Sequence, residues 1–242
     1  LSNTKRIEVS QQWGTPGAVN SSAVVNAGPI FSNLSHSPTV PSSGQSVTVD
    51  VALDDPDGIS SARIRYRSNN NTGFGIAGMS HQGGGVYRGV IPGFTGGTLV
   101  QFYIEATDNH GSAVVTSYFP AAAADSRAMI QWQDNQANTA TLHNLRVLMR
   151  PSDRQTMYTD IHRMSNYRFP ATLIVDESEV YYNVGVRLKG SAYGRNNNGP
   201  DGLNLGFDPM QPYNGIHTSI SIERGTTQSQ FFAKHLMSNA GK

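Results

Sequence analysis

The chain has 242 residues, of which 37% are hydrophobic and only 14% are charged, with 25 glycines and no cysteine. This composition excludes a disordered chain, a disulfide framework and a thiolate metal site, and it is typical of a turn-rich, mainly β protein. A formal net charge of +1 gives no global field for nucleic acid, and the absence of a run of about 18 apolar residues predicts no transmembrane segment.

The N-terminal residues 1–27 have the character of a strand and a linker. Apolar and charged residues alternate in Lys5–Val9, as in a half-buried strand, and Gln11–Asn20 is rich in turn-forming residues. The sequence TPGAVN within that stretch is similar to the closing part of lamin-tail-like domains, which implies the end of such a domain. An N-terminal strand docked on the next domain explains the same residues.

Residues 28–120 show the clearest domain pattern. Short runs with strand character recur about every ten residues, separated by turn sequences such as PSSG, DDPDG and DNHG. This spacing predicts an Ig- or fibronectin-like β-sandwich, and residues 121–140, which have little periodicity, are interpreted as a linker. The predicted strands are Ile30–Ser35, Ser46–Leu53, Ser61–Arg67, Gly73–Met79, Gly85–Ile91, Thr98–Thr107 and Ala113–Phe119.

Four aspartates of this domain are candidates for a calcium site. Asp54, Asp55 and Asp57 lie in one predicted loop, and Asp108 lies in another. In an Ig-like strand order the two loops can meet at one pole, where clustered carboxylates would suit Ca²⁺. Asp-Pro-Asp-Gly and Asp-Asn-x-Gly are also ordinary turn sequences, so a calcium site and two plain turns both explain these residues.

From residue 141 the pattern changes to that of an α+β unit. Ser152 and Gln155 form a capping-box signature before apolar residues at helical spacing, and Thr227 opens a second such segment. We therefore interpret residues 141–242 as a mainly antiparallel sheet with two helices. The apolar residues of the first helix are Met157, Ile161 and Met164. The predicted strands are Leu145–Met149, Phe169–Val175, Glu179–Lys189, Leu203–Phe207 and His217–Ile222.

The stretch Val180–Arg195, which reads VYYNVGVRLKGSAYGR, carries the main candidate for a binding site. Its alternation up to Lys189 predicts a half-buried strand that ends in a Gly-Ser turn with cations around it. Backbone N–H groups and cations at such a turn suit phosphate oxygens, although a hairpin with a solvated basic edge explains the same pattern. The residues predicted on the buried face are Val180, Tyr182, Val184, Val186 and Leu188. The candidate cofactor-binding residues are Arg187, Lys189, Gly190, Ser191 and Arg195.

Several stretches of this second segment resemble the CotH kinase-like family, the spore coat protein H type. They read YNVGVRLKGSAYGR, LNLGFD, YNGIHTSISIER and FFAKHLMSNAG. The resemblance implies an exported bacterial protein with an upstream Ig-like module, and ATP with Mg²⁺ as ligands of the parent protein. It also implies that the acidic catalytic residues lie beyond Lys242, so the segment is expected to be incomplete and no catalytic residue is assigned. The sequence departs from the family at Asn196–Asp201, where a lysine is expected.

Two functions are compatible with these features. The first is a structural or interaction protein of the bacterial surface, coat or matrix, in contact with other coat proteins or glycans. The second is the nucleotide-facing part of an atypical secreted protein kinase, truncated before its catalytic acidic residues. Both imply an extracellular or cell-surface location without nucleic acid as a partner, and strand addition at a sheet edge would allow oligomers.

Overall fold

The computed structural model describes residues 26–68, 72–125, 127–135, 144–190, 195 and 202–222. Within those ranges the chain is mainly β, as the composition predicts, with two antiparallel sheets and two short helices. None of the described helices is long and apolar enough to cross a membrane. The predicted N-terminal strand, the second helix and the Ser191 part of the turn lie outside the described residues.

The first sheet contains the strands predicted for residues 28–120 and one more. The strands are β1 (Ile30–Ser37), β2 (Val47–Asp54), β3 (Ile59–Ser68), β4 (Gly75–Gly83), β5 (Val86–Ile91), β6 (Leu99–Asp108), β7 (Thr116–Phe119) and β8 (Ala128–Gln131). All neighbouring strands are antiparallel, in the order β1-β2-β5-β4-β3-β6-β7. β8 pairs with the first residues of β6, whereas β7 pairs with the later ones.

This sheet is continuous and curled, and the predicted sandwich of two separate sheets is not confirmed. The two halves of the sheet are joined by β4, which pairs with β3 through Gly75–Gly78 and with β5 through Met79–Gly83. The change of partner comes directly after Gly78. Gly28, just before β1, packs so closely on β7 that a Cβ atom there would lie 2.5 Å from the Ser117 hydroxyl.

The curled sheet encloses a core made by the alternating residues of its strands. In β2 every second residue is buried, and β3 and β6 face it with Ile64, Phe102 and Ile104, which have no exposed surface. Burial of a side chain of this size contributes about 2–3 kcal/mol to the free energy of unfolding. Trp132, which follows β8, closes the core and donates its indole N–H to the carbonyl of Gln45 at 2.8 Å.

The linker prediction for residues 121–140 is wrong at β8. Ala128, Met129 and Ile130 are fully buried, because one side of the strand faces the core of the first sheet and the other faces the second sheet. A strand buried on both sides has no apolar–polar alternation, which is why the sequence pattern missed it.

The second sheet has five antiparallel strands within the described residues. They are β9 (Leu145–Leu148), β10 (Phe169–Val175), β11 (Glu179–Leu188), β12 (Leu203–Gly206) and β13 (Ser219–Ile222). Their order in the sheet is β13-β12-β11-β10-β9. Helices α1 (Pro151–Met157) and α2 (Asp160–Arg163) lie between β9 and β10 in the chain. A core of apolar residues from β10, β11 and β12 packs with Met157 of α1.

The predicted helix with a capping box is wrong in its details. The helix begins at Pro151, which occupies the position that proline favours at a helix start, and no side chain caps it. The helical stretch is broken into α1 and α2, so the predicted apolar stripe does not form. Met157 is buried, whereas Ile161 and Met164 are 82% and 50% exposed.

A β-bulge at Asn183 changes the predicted faces of β11. Ala171 pairs with Val184 and Leu173 pairs with Tyr181, so β11 has one extra residue, and Asn183 takes a positive φ of 54°. Tyr181 therefore shares a core with Val184, and the strand prediction is wrong in placing Val180 and Tyr182 on that face. Tyr182 is buried instead against the first sheet.

The two sheets share a buried junction. Met129 of β8 packs with Leu148 and Ile174 of the second sheet, and its backbone N–H donates to the Thr172 hydroxyl at 2.9 Å. Tyr182 reaches across the junction to His36 at the end of β1. These contacts fix the second sheet on the first and leave the far end of β11 and β12 outside the junction.

Candidate functional site

The exposed side of β11 and β12 forms the candidate site, which we call the basic face and define by Arg168, Arg187, Lys189, Gly190 and Asn204. Because side chains alternate along a strand, the burial of Val186 and Leu188 turns Arg187 toward the opposite side. Arg187 pairs with Asn204 across the ladder to β12, which places the two side chains next to each other.

Arg168 is the central residue of this face, although the sequence did not single it out. It precedes β10, and its guanidinium donates to the Gly185 carbonyl at 3.0 Å and to the Asn204 side-chain oxygen at 2.6 Å. The side chain lies in a channel made by two glycines. A Cβ atom at Gly185 or Gly206 would meet it at 3.0 or 2.7 Å, respectively.

The electrostatics of the basic face are those of neighbouring like charges. Partial burial, and then the positive charge of Arg187, lower the pKa of Arg168 below its usual value. Within the described parts of the chain, neither arginine forms an ion pair with a carboxylate. Among the described residues, the Arg187 guanidinium forms one long hydrogen bond, of 3.5 Å, to the Leu188 carbonyl. The face therefore presents two neighbouring guanidinium groups whose mutual repulsion an anion would relieve.

The predicted turn after β11 is present as far as the structure describes it. Lys189 directly follows β11, and its backbone N–H donates to the Gly202 carbonyl at 2.7 Å. Gly190 has a φ of +110°, a conformation that favours glycine because other residues have a Cβ atom. Arg187, Lys189 and Gly190 therefore lie together at the end of β11.

Arg195 does not belong to the basic face, and its prediction as a phosphate-binding residue is wrong. Its side chain is buried, with 5% exposure of the residue. The guanidinium donates to the carbonyls of Arg163 and Ser165 at 2.8 and 3.2 Å, directly after α2. A cation at a helix C-terminus satisfies carbonyls that lack an intrahelical donor, so Arg195 has a structural role there.

The two aspartate loops do meet at one pole of the first sheet, as the strand order predicts. The backbone N–H of Asn109 donates to the Gly58 carbonyl at 3.0 Å, and Asp57 contacts His110 at 2.9 Å. Among the described residues, however, no three acidic or histidine side chains are grouped so that they could hold a metal ion. The two loops are therefore adjacent, but Asp54, Asp55, Asp57 and Asp108 are not grouped as metal ligands among the described residues.

Asp108 instead organises the turn between β6 and β7. Its buried carboxylate accepts hydrogen bonds from the side-chain amide of Asn26 at 2.5 Å and from the backbone N–H of Val115 at 3.1 Å. Burial acts to raise the pKa of Asp108, but these hydrogen bonds outweigh it and the pKa is lowered. In the other loop, Asp55 accepts from the backbone N–H of Asp57 at 2.9 Å, as in an ordinary Asx turn.

Comparisons with known proteins leave the family of this chain open. No family model matches it, and no curated protein matches it. Among solved structures, a DUF4785 family protein from Legionella pneumophila is 9% identical, with a TM-score of 0.32, over 63% of this chain and 36% of that protein. A cycloalternan-forming enzyme from Listeria monocytogenes, in complex with a pentasaccharide, is 10% identical with a TM-score of 0.28, over 81% of this chain and 15% of the enzyme.

A second protein from Listeria monocytogenes, uncharacterized and bound to glucose, magnesium and calcium, is similar to the same extent. It is 12% identical with a TM-score of 0.28, over 80% of this chain and 15% of that protein. This chain therefore spans about a third or less of the length of these structures. TM-scores of this size support no argument about function.

Proposed function

We propose that this chain is a structural and interaction protein of the bacterial surface, coat or matrix, and that its basic face binds an anionic partner. The observation that carries the proposal is the pair Arg168 and Arg187, which both neighbour Asn204 and have no carboxylate partner among the described residues. Two guanidinium groups in such an arrangement suit phosphate or carboxylate oxygens, because their N–H groups form charge-assisted hydrogen bonds in pairs.

The scaffold under the basic face supports a binding role. Arg168 is held by two carbonyl groups and the Asn204 side chain, so its guanidinium has a defined position before a ligand arrives. The sheet that carries it is fixed by the junction to the first sheet. A preformed site loses little conformational entropy when it binds, which favours affinity.

The nucleotide-facing part of a CotH-type kinase is the second candidate. Gly190 with its positive φ follows Lys189 at the strand end, where backbone N–H groups and cations could hold the phosphates of ATP. Mg²⁺ would accompany the nucleotide. Arg195 does not contribute to this site, because its guanidinium binds the end of α2.

Calorimetric titration with inorganic triphosphate and with ATP, each with and without Mg²⁺, tests both candidates. The variants Arg187→Gln and Gly206→Ala alter the basic face, the second because a Cβ atom would lie within 2.8 Å of the Arg168 guanidinium and displace it. Arg88→Gln, on β5 of the first sheet, is the matched control. We expect the first two variants to weaken triphosphate binding about tenfold and the control to leave it unchanged.

The outcomes separate the two functions. Equal affinity for ATP and triphosphate supports a site for phosphate or other polyanions, as the interaction role requires. A much higher affinity for ATP, increased by Mg²⁺, supports the kinase-like candidate. The basic face has no binding role if neither ligand binds, or if all three variants bind both ligands as tightly as the unaltered protein.

A further inference from the structure

A cleft with a volume of about 210 Å³ lies between the edge of the first sheet and the loop that follows β12. Both sheets contribute to its walls, and clefts between two packed units are common ligand sites. None of the residues of the basic face lines it. The lining residues that matter here are Phe31, Asn33, Phe119, Asp208, Met210 and Gln211.

The floor of this cleft is apolar and aromatic. The rings of Phe31 on β1 and Phe119 on β7 lie 6.1 Å apart with an angle of 30° between their planes. Leu34 and the exposed side chain of Met210 continue the apolar surface on either side. Such a floor suits a ligand that has a flat apolar side.

The rim of the cleft supplies both hydrogen-bond donors and hydrogen-bond acceptors. Asn33 lies at a bulge of β1 with a φ of 52°, and its side-chain amide has no hydrogen-bond partner within the described ranges. Asp208 accepts the backbone N–H of Met210 with one carboxylate oxygen and has no described partner for the other. Gln211 donates to the Val180 carbonyl at 3.2 Å, which leaves its side-chain oxygen as an acceptor.

We propose that this cleft binds one ring of a neutral carbohydrate. A pyranose has C–H groups on one side, which pack on aromatic rings, and hydroxyl groups around its edge, which both donate and accept hydrogen bonds. The acceptors of Asp208 and Gln211 and the amide of Asn33 match such an edge. Asp208 is the charged group among the lining residues and is acidic, so the cleft disfavours acidic sugars.

This inference rests on the proposed interaction function only in supposing that the protein meets glycans, and it uses no residue of the basic face. The same cleft chemistry would also attract an organic cation through Asp208. The experiment therefore includes such a cation as a separate probe.

Titration of the ¹⁵N-labelled protein, followed by amide chemical shifts, tests the proposal with glucose, galactose, N-acetylglucosamine and, separately, choline. Asp208→Asn keeps an acceptor for the Met210 N–H but removes the charge. Asn33→Gly removes the amide and tolerates the positive φ. Asn214→Gly is the matched control, because Asn214 has the same φ of 52° and does not line the cleft.

We expect at least one sugar to shift the amide signals of the cleft in a saturable manner. We expect both cleft variants to weaken that binding at least about fivefold, while the control does not. Saturation by choline alone would overturn the carbohydrate assignment. The absence of saturable shifts with all three sugars, or unaltered affinity in both cleft variants, would overturn it as well. Triphosphate binding tests the basic face independently, so failure of one site is distinguishable from failure of the other.

Discussion

His36 and Tyr182 form a buried polar pair in the junction between the sheets. The His36 ring contacts the Tyr182 hydroxyl at 2.5 Å through Nδ1 and the Thr39 carbonyl at 3.0 Å through Nε2. A carbonyl only accepts hydrogen bonds, so Nε2 must carry the proton, and Nδ1 then accepts the tyrosine proton. The neutral imidazole therefore satisfies every polar atom of the pair, which a charged imidazolium would not.

This arrangement predicts that the junction is sensitive to acid. Burial lowers the pKa of His36 from 6.5 to about 4 in the folded protein. Between those pH values the His36 side chain binds a proton in the unfolded chain but not in the folded chain. The contribution of neutral His36 to the free energy of unfolding is therefore complete above pH 6.5 and is lost as the pH falls toward 4. The shift corresponds to about 3 kcal/mol of the free energy of unfolding.

Urea unfolding of the unaltered protein and of His36→Gln, each measured at pH 7.5, 5.5 and 4.5, checks this prediction. We expect the difference in stability between the two proteins to shrink as the pH falls, because the variant has no group to protonate. His81→Gln, with its exposed ring on β4, is the control and should parallel the unaltered protein at every pH. A difference that stays constant over this range would show that His36 does not carry the acid sensitivity.

At the scale of the strand, the bulge in β11 decides which core each tyrosine enters. Asn183 has a φ of 54°, a conformation that asparagine adopts readily and that a β-branched residue does not. We expect Asn183→Val to be less stable than Asn183→Gly by about 1–3 kcal/mol in urea unfolding, because valine must adopt a strained backbone or move the bulge. Equal stability of the two variants would show that the positive φ is not required.

The strands of both sheets other than β8 could be predicted from the sequence, because alternation and turn residues are local signals. The bulge at Asn183 could not, since nothing in VYYNVGVRL marks where one residue is extra. An uninterrupted period of two was the simplest pattern, and it placed Tyr181 and Tyr182 on the wrong sides. The buried strand β8 was missed for a related reason, because a strand covered on both sides has no alternation.

The candidate site was predictable in part. Arg187, Lys189 and Gly190 are adjacent in the sequence, so their common position followed from one strand and one turn. Arg168 joins them through packing across two strands, and the signal that could have found it is the pair of strand glycines that make room for its side chain. Arg195 was close in sequence but is buried elsewhere, and only the tertiary structure determines that.

At the scale of the whole molecule, the junction makes the two sheets one structural unit. Arg146 on β9, which is 9% exposed, contacts Asp134 from the segment after β8 and Glu177 from the turn before β11. Met129, Leu148 and Ile174 fill the space between the sheets. Neither sheet could separate from the other without exposing these apolar side chains and Tyr182 to water, which favours cooperative unfolding.

Thr172 offers a direct test of this cooperativity. Its hydroxyl accepts the buried N–H of Met129, so Thr172→Val removes the acceptor with little change in volume and leaves that N–H without a partner. We expect a loss of about 1–3 kcal/mol, which lowers Tm by about 2–4 °C for each kcal/mol, whereas Thr172→Ser should retain most of the stability. Scanning calorimetry should show one transition for all three proteins, shifted as a whole in the valine variant. Two separate transitions in the unaltered protein, or a shift confined to one of two transitions in the variant, would contradict a single unit, because each sheet would then be stable without the junction that Thr172 supports.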